Sequence, residues 1–384
     1  MKLFIFSIII FLLRNIFYLF PISKTPKIVF INFNGRGYGD NPKYLADEFL
    51  RLQLPYTLVW LAQKGMYVPN TIKNVKFNSI GALYQLATAH IIISNTKSLS
   101  ALCKKKKSQF YLQTWHGNFG CKYIEKEIEK FLSAEYVKTS KADSQMTDAI
   151  ISGNTFFYNI LKESFWLPES CEILKCGVPR NDIYFKDGDL KNELKSKYNF
   201  ATSDKILLYA PTFRDDKRTD CYNINFETIR SVLNSKYNEN WKIIIRLHPN
   251  VSKKTDLFEY NENIINGSVY TDSQELCFIS DCLITDYSSI MSDFMLMKKP
   301  VYLYVPDMEK YSDKSTGRGL RDIFYKLPFN FCKTQDKLEA EINTFNSDEY
   351  LVKLQEFMNK YYESFDDGHA SEKVVNYLKS VISK

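Results

Sequence analysis

Two of the four histidines, His116 and His248, fall where an apolar run gives way to a polar one. QTWHGN sets His116 after the run FYLQTW with Gly117 behind it, and RLHPN sets His248 at the end of WKIIIRLHP. An imidazole with an ordinary pKa near 6.5 can accept a proton from an attacking hydroxyl at neutral pH. A hydrogen-bonded core histidine is the competing reading for His116. Arg246 stands two residues before His248, on the same face of an extended strand, and such a pair suits a phosphate. YAPTFRDD places Thr212 and Arg214 just beyond Pro211, which should stop a strand. Arg214 reads equally well as one half of a solvated ion pair with Asp215 or Asp216. In ITDYSSIMSDFMLM, a strand ending at Thr285 runs into Asp286, Tyr287, Ser288 and Ser289 and then a helix. That arrangement converges hydroxyls and free amides on an anion, or is an ordinary N-cap worth about 1 kcal/mol. STGRGLRD holds Arg318 between two glycines, with Arg321 following. The two arginines suit a bidentate diphosphate clamp or a mobile surface loop. GVPRND offers Arg180 and Asp182, paired with each other or reaching an interdomain cleft. NGRGYGD, with Gly35, Gly37 and Gly39, is either a ligand loop or a tight turn from strand to helix.

These residues need strands to carry them. Short apolar runs at 27–33, 57–62, 90–94 and 110–115 alternate with amphipathic stretches such as NPKYLADEFLRL. A second set, at 205–211, 241–249, 282–287 and 300–306, follows a charged stretch at 185–205 that is poor in apolar residues. Alternation of this kind predicts parallel α/β sheets covered by helices. The fold class expected is therefore α/β, with two Rossmann-like doubly wound domains facing a cleft and ligands at the carboxyl ends of the strands. The predicted domains are a membrane-associating helix at 1–22, an acceptor-side domain at 23–190, a donor-side domain at 191–365 and a terminal helix at 366–384. The boundary falls near residues 186–203.

The chain has 384 residues, enough for about two domains at roughly 150 residues each. With 45% hydrophobic, 15% aromatic and 25% charged residues, it is neither disordered nor fibrous. Its net charge of +7 suits anionic partners without choosing among them. No aromatic-interleaved basic stripe points to nucleic acid. The eight cysteines include no C-x-x-C, so reduced thiols in a cytosolic compartment are expected, with no structural zinc. Asp187 and Asp189 fall in the predicted linker rather than at a strand end, and no metal constellation stands out. The first 22 residues hold apolar runs on either side of Arg14, which suits a helix lying in a membrane interface better than a clean span. The run of lysines at 104–107 would add to such attachment, or is a solvated loop.

Taken in order, QTWHG, GVPRND, YAPTFRDD, RLHP, TDYSS with a following SDF, and a late RG resemble the CDP-glycerol glycerophosphotransferase family, which builds teichoic acids and related capsule polymers. The resemblance spans roughly residues 25–365. It implies a GT-B fold and a metal-independent transfer of glycerol phosphate, or a related polyol phosphate, from a CDP-activated donor to a hydroxyl of a lipid-linked or polymeric glycan, with release of CMP. It also implies attachment to the cytoplasmic face of the cell membrane. His116 matches the family's catalytic base. His248, Ser288, Ser289 and Arg318 match positions that hold the CDP diphosphate, with Asp286 nearby, and His248 and Arg318 would stabilise charge on the phosphates. The chain departs from the family pattern in GNFGCKYIE after His116, and in Leu320 and Arg321 after Gly319. These departures bear on which polyol is used. Two other readings share the fold: a glycosyltransferase using a nucleotide sugar, and an inactive membrane-recruited scaffold.

Overall fold

The computed structural model describes residues 12–216, 218–248, 251, 257–314 and 318–383. Most of the N-terminal apolar run, Pro249 of the RLHP motif, and Ser315, Thr316 and Gly317 of the late glycine loop lie outside the described residues.

The chain forms two compact units. The first comprises residues 1–118, 125–182 and 364–384, and the second comprises 119–124 and 183–363. The first holds one sheet of seven strands: β1 (Lys27–Ile31), β2 (Thr57–Ala62), β3 (Lys73–Lys76), β4 (Ile91–Ser94), β5 (Phe110–Gln113), β6 (Ala149–Ser152) and β7 (Glu172–Lys175). Their order is β3-β2-β1-β4-β5-β6-β7, every pair parallel. The second unit holds β8 (Lys205–Tyr209), β9 (Trp241–Ile245), β10 (Ile264–Asn266), β11 (Cys282–Thr285), β12 (Val301–Tyr304) and β13 (Phe331–Cys332), in the order β10-β9-β8-β11-β12-β13 and again all parallel. Each is the doubly wound α/β arrangement, and its strand order reverses at β1/β4 in one sheet and β8/β11 in the other. Loops leaving the carboxyl ends at those reversals are where such sheets bind ligands.

Local sequence accounts for the central elements. KIVFI of β1 is buried at every residue, as a strand covered on both faces must be. The helix Asp40–Arg51 buries Leu45, Ala46 and Phe49 against β1 and β2, while its ends carry an acidic and a basic residue that complement the helix dipole. The terminal helix Ala370–Ile382 adds Val374, Val375 and Leu378 to that same core. It thus belongs to the first unit, and the longer stretch of the second unit runs from Ile183 to Glu363. All eight cysteines are free thiols, seven of them buried.

Residues 12–18 are helical, and the chain through Phe20 rests on the first unit. Arg14 Nη1 donates to Ser100 O at 2.8 Å, Lys106 Nζ donates to Phe20 O at 2.7 Å, and Phe17 and Phe20 meet Tyr84 edge-on. Among the described residues no helix is long and apolar enough to cross a membrane.

Candidate functional site

In the first unit the loop after β1 is closed by Asn32. Its carbonyl accepts from Gly35 N at 2.7 Å and Arg36 N at 2.9 Å, and its Nδ2 donates to Gly37 O at 3.2 Å. Gly35 sits at φ +86°, and a Cβ there would lie 2.8 Å from Cβ of Phe77. The glycines therefore make a tight turn, and the amides of Gly35 and Arg36 are engaged within it. Asn32 Oδ1 accepts from Asn95 Nδ2 at 2.8 Å, tying the end of β1 to the end of β4, and Asn95 Oδ1 accepts from Phe33 N at 2.8 Å.

His116 follows β5 on the same side. Its Nδ1 is 2.9 Å from the backbone carbonyl of Asn95. A carbonyl only accepts, so Nδ1 carries the proton and Nε2 presents its lone pair. The half-buried ring packs against Trp115 at 4.3 Å and Phe33 at 5.3 Å. Burial pulls the His116 pKa below its ordinary value, outweighing the Asn95 carbonyl and the Asp40 carboxylate, which push the other way.

Arg180 and Asp40 steady the backbone on either side. Arg180 Nη1 donates to His116 O at 2.8 Å and to Asp40 Oδ2 at 3.0 Å, and both charged groups are buried. Asn41 accepts from Arg180 N at 3.1 Å and donates to Trp115 O at 3.1 Å. Arg180 thus pairs with Asp40. Asp182 accepts from Ala370 N at 2.8 Å and Ser371 N at 2.7 Å, where its carboxylate meets the first amides of the terminal helix. Gly117 lies half-buried beside His116. Beyond it, Asn118 accepts from Gly153 N at 3.0 Å, fixing the far end of the loop.

Behind His116, Lys97 and Glu125 form a buried ion pair at 2.9 Å. The Lys97 ammonium also faces the rings of Phe165 at 4.0 Å and Trp115 at 5.6 Å.

In the second unit the strand-end loops at the sheet reversal meet around Arg214. Asp286 Oδ1 accepts from Thr212 N at 2.8 Å and Tyr287 N at 2.6 Å, while its Oδ2 pairs with Arg214 Nη1 at 2.9 Å. The other edge of Arg214 grips Asp307, through Nε at 2.8 Å and Nη2 at 3.0 Å. The guanidinium lies over Tyr287 and Tyr311, which are stacked with centroids 3.8 Å apart. Burial alone would weaken the Arg214 charge, but Asp286 and Asp307 hold it firmly protonated. Arg214 is thus a buried hub that fixes the Thr212 loop to Asp286, rather than a solvated ion pair with its neighbours in sequence.

Phe213, between Thr212 and Arg214, brings two of the expected donor residues together. The His248 ring packs on it at 4.5 Å and Arg318 lies over it at 6.0 Å. Arg318 also makes a two-pronged bond to Asp215, at 2.6 and 2.9 Å. Ser288 and Ser289 are half-buried at the start of the helix Ile290–Leu296, where Ser288 Oγ accepts from Ile290 N at 3.4 Å.

The Arg246 guanidinium is engaged by backbone carbonyls. Its Nη1 donates to Gly267 O at 3.0 Å and Tyr270 O at 2.7 Å. β9 ends at Ile245, so strand alternation no longer places residues 246 and 248 on one face. Arg321 likewise turns to protein, donating from Nε to Gly120 O at 2.8 Å. Asp187 caps the helix Gly188–Lys197, and among the described residues no cluster of three or more His, Cys, Asp or Glu could hold a metal ion.

Sequence reasoning missed Asn32, Asn95, Asp40 and Asp307. The first two had a signal, since each is a polar residue directly after a buried apolar run.

The sequence model of the family described as CDP-Glycerol:Poly(glycerophosphate) glycerophosphotransferase matches residues 13–380. The chain is 30% identical over 381 residues to a teichoic acid poly(glycerol phosphate) polymerase of Staphylococcus epidermidis, covering 94% of this chain and 51% of the relative. It is 32% identical over 375 residues to a teichoic acid glycerol-phosphate transferase of Staphylococcus aureus, covering 92% of this chain and 93% of the relative. The chain thus spans about half the length of the polymerase but nearly all of the transferase. Among solved structures it is similar to a variant of the wall teichoic acid polymerase TagF soaked with CDPG, with a TM-score of 0.82 at 28% identity over 94% of this chain and 90% of that one. With the family match running almost end to end and both parallel sheets in place, the chain belongs to the CDP-glycerol:poly(glycerophosphate) glycerophosphotransferase family.

Proposed function

We propose that this protein transfers glycerol phosphate, or a related polyol phosphate, from a CDP-activated donor to a hydroxyl of a lipid-linked or polymeric cell-surface glycan, releasing CMP. The observation that carries the reading is His116, held through Nδ1 by the Asn95 carbonyl so that Nε2 presents a lone pair. In this reading Nε2 takes the acceptor's proton as its oxygen attacks the β-phosphorus. The new O–P bond forms as the bond to the bridging oxygen breaks, and CMP leaves with that oxygen. His248, Arg318, Ser288 and Ser289 would hold the phosphates, with Asp286 and Arg214 keeping the Thr212 loop in place. Cationic and hydroxyl side chains supply the charge stabilisation, so no metal is required in this reading. Activity should then survive EDTA.

The membrane surface forms part of the proposal. Leu19 is 81% exposed, and Leu12, Ile16, Phe20 and Ile80 are exposed as well. Lys104 and Lys106 lie over Tyr18 among them. An apolar patch beside lysines suits peripheral binding to the anionic inner face of the cell membrane.

The test is CMP release by the purified protein from CDP-glycerol, CDP-ribitol and a panel of UDP-sugars, with and without a lipid-linked or short polymer acceptor. Acceptor-dependent CMP release from one CDP-polyol supports the transferase. UDP release from a sugar donor would replace it with a glycosyltransferase, and nucleotide binding without turnover would favour a scaffold.

A further inference from the structure

The segment Phe119–Ile124 belongs to the second unit, although the chain on both sides of it belongs to the first. It is held there by backbone pairing with the late glycine loop. Lys122 and Leu320 form an antiparallel bridge, Tyr123 N donates to Gly319 O at 3.3 Å, and Arg321 N donates to Cys121 O at 2.8 Å. This pairing fixes the Lys122 backbone two residues along the partner strand from Arg318.

Lys122 is half-buried, and the charged groups acting on it are Arg318, Asp286 and Arg214, two cations against one carboxylate. The carboxylates are already engaged: Asp286 by Arg214, Asp307 by Arg214 and Arg218, and Asp215 by Arg318. Among the described residues none gives the Lys122 ammonium a hydrogen bond or an ion pair. A partly desolvated cation beside two others is unfavourable unless an anion joins them. Burial and Arg318 accordingly bring its pKa down to about 8.

We propose that Lys122 is a further donor-binding residue, whose ammonium group binds a phosphate oxygen of a nucleoside diphosphate beside Arg318. The assignment rests on the CDP-donor reading for the ligand's identity but not for its charge. A lysine suits the place because its three donors rotate to meet an incoming oxygen, complementing Arg318, whose Nε and Nη2 engage Asp215. The backbone bridge survives a change of side chain, so the role can be separated from folding.

The test uses the full chain as wild type, K122M, K122Q and K122R. Calorimetry measures affinity for inorganic pyrophosphate and for CDP, and thermal unfolding checks the fold. Removing the charge should weaken both ligands by about tenfold or more, with K122R restoring most of the loss and the unfolding midpoint unchanged. Unchanged affinity in K122M and K122Q would overturn the assignment, as would a loss that K122R does not restore or a wild type that fails to bind pyrophosphate. If the wild type binds pyrophosphate but not CDP, the donor reading falls while the pyrophosphate measurements still decide the role of Lys122.

Discussion

The Nδ1 atom of His116 lies 2.9 Å from the backbone carbonyl of Asn95, so the end of one strand fixes the tautomer of a residue that follows the next strand, its neighbour in the sheet. Burial lowers the His116 pKa from its ordinary 6.5. A base works unprotonated, and a lowered pKa keeps it unprotonated to lower pH. The acid limb of kcat should therefore fall below pH 6.5, and a limb at or above that value would remove His116 as the base. His116→Asn should cut kcat by about 10²-fold or more and leave CDP affinity unchanged.

Asn95→Ala deletes the side-chain bonds to Asn32 and Phe33 and leaves the carbonyl in a loosened loop. Stability should drop by about 1–3 kcal/mol in urea melts. Turnover should fall with donor KM unchanged, since the groups proposed to bind the donor belong to the other unit.

Arg214 and Arg318 should part company. Arg214→Met leaves the buried Asp286 without its ion-pair partner and takes one of two arginines from Asp307, and should cost about 3–5 kcal/mol, read by denaturant unfolding. Arg318→Met breaks an exposed pair and should cost less than about 1 kcal/mol, while raising donor KM.

Gly319 sits at φ +68°, with a would-be Cβ 2.6 Å from Cγ of Lys314 and 2.9 Å from Cδ2 of Tyr123. Gly319→Ala should therefore push the glycine loop off the Phe119–Ile124 segment. Donor KM should rise and Tm should fall together, and a variant with wild-type values of both would show that the loop adapts.

The central strands were legible because parallel strands covered on both faces read as unbroken apolar runs: KIVFI, TLVWLA, KILLY and CLIT. β3, β6 and β7 were not: KNVK and EILK lie at the sheet's edges with exposed residues among them, and AIIS, though buried, is only four residues long. β13, at two residues, carries no periodic signal at all.

The sequence by itself determined that His116, His248, Thr212 and Asp286 stand at or just past strand ends, because apolar runs stop there and the α/β pattern puts loops at their carboxyl ends. Only the tertiary structure decided what each residue faces. Arg180 meets Asp40 across 140 positions, Arg214 meets Asp307 across 93, and Asp182 meets the terminal helix across 188. Local propensity reaches over a few residues, whereas an ion pair is chosen by which strands become neighbours. That is why Arg214 reads in sequence as the partner of Asp215 or Asp216 and is in the folded chain the partner of Asp286 and Asp307.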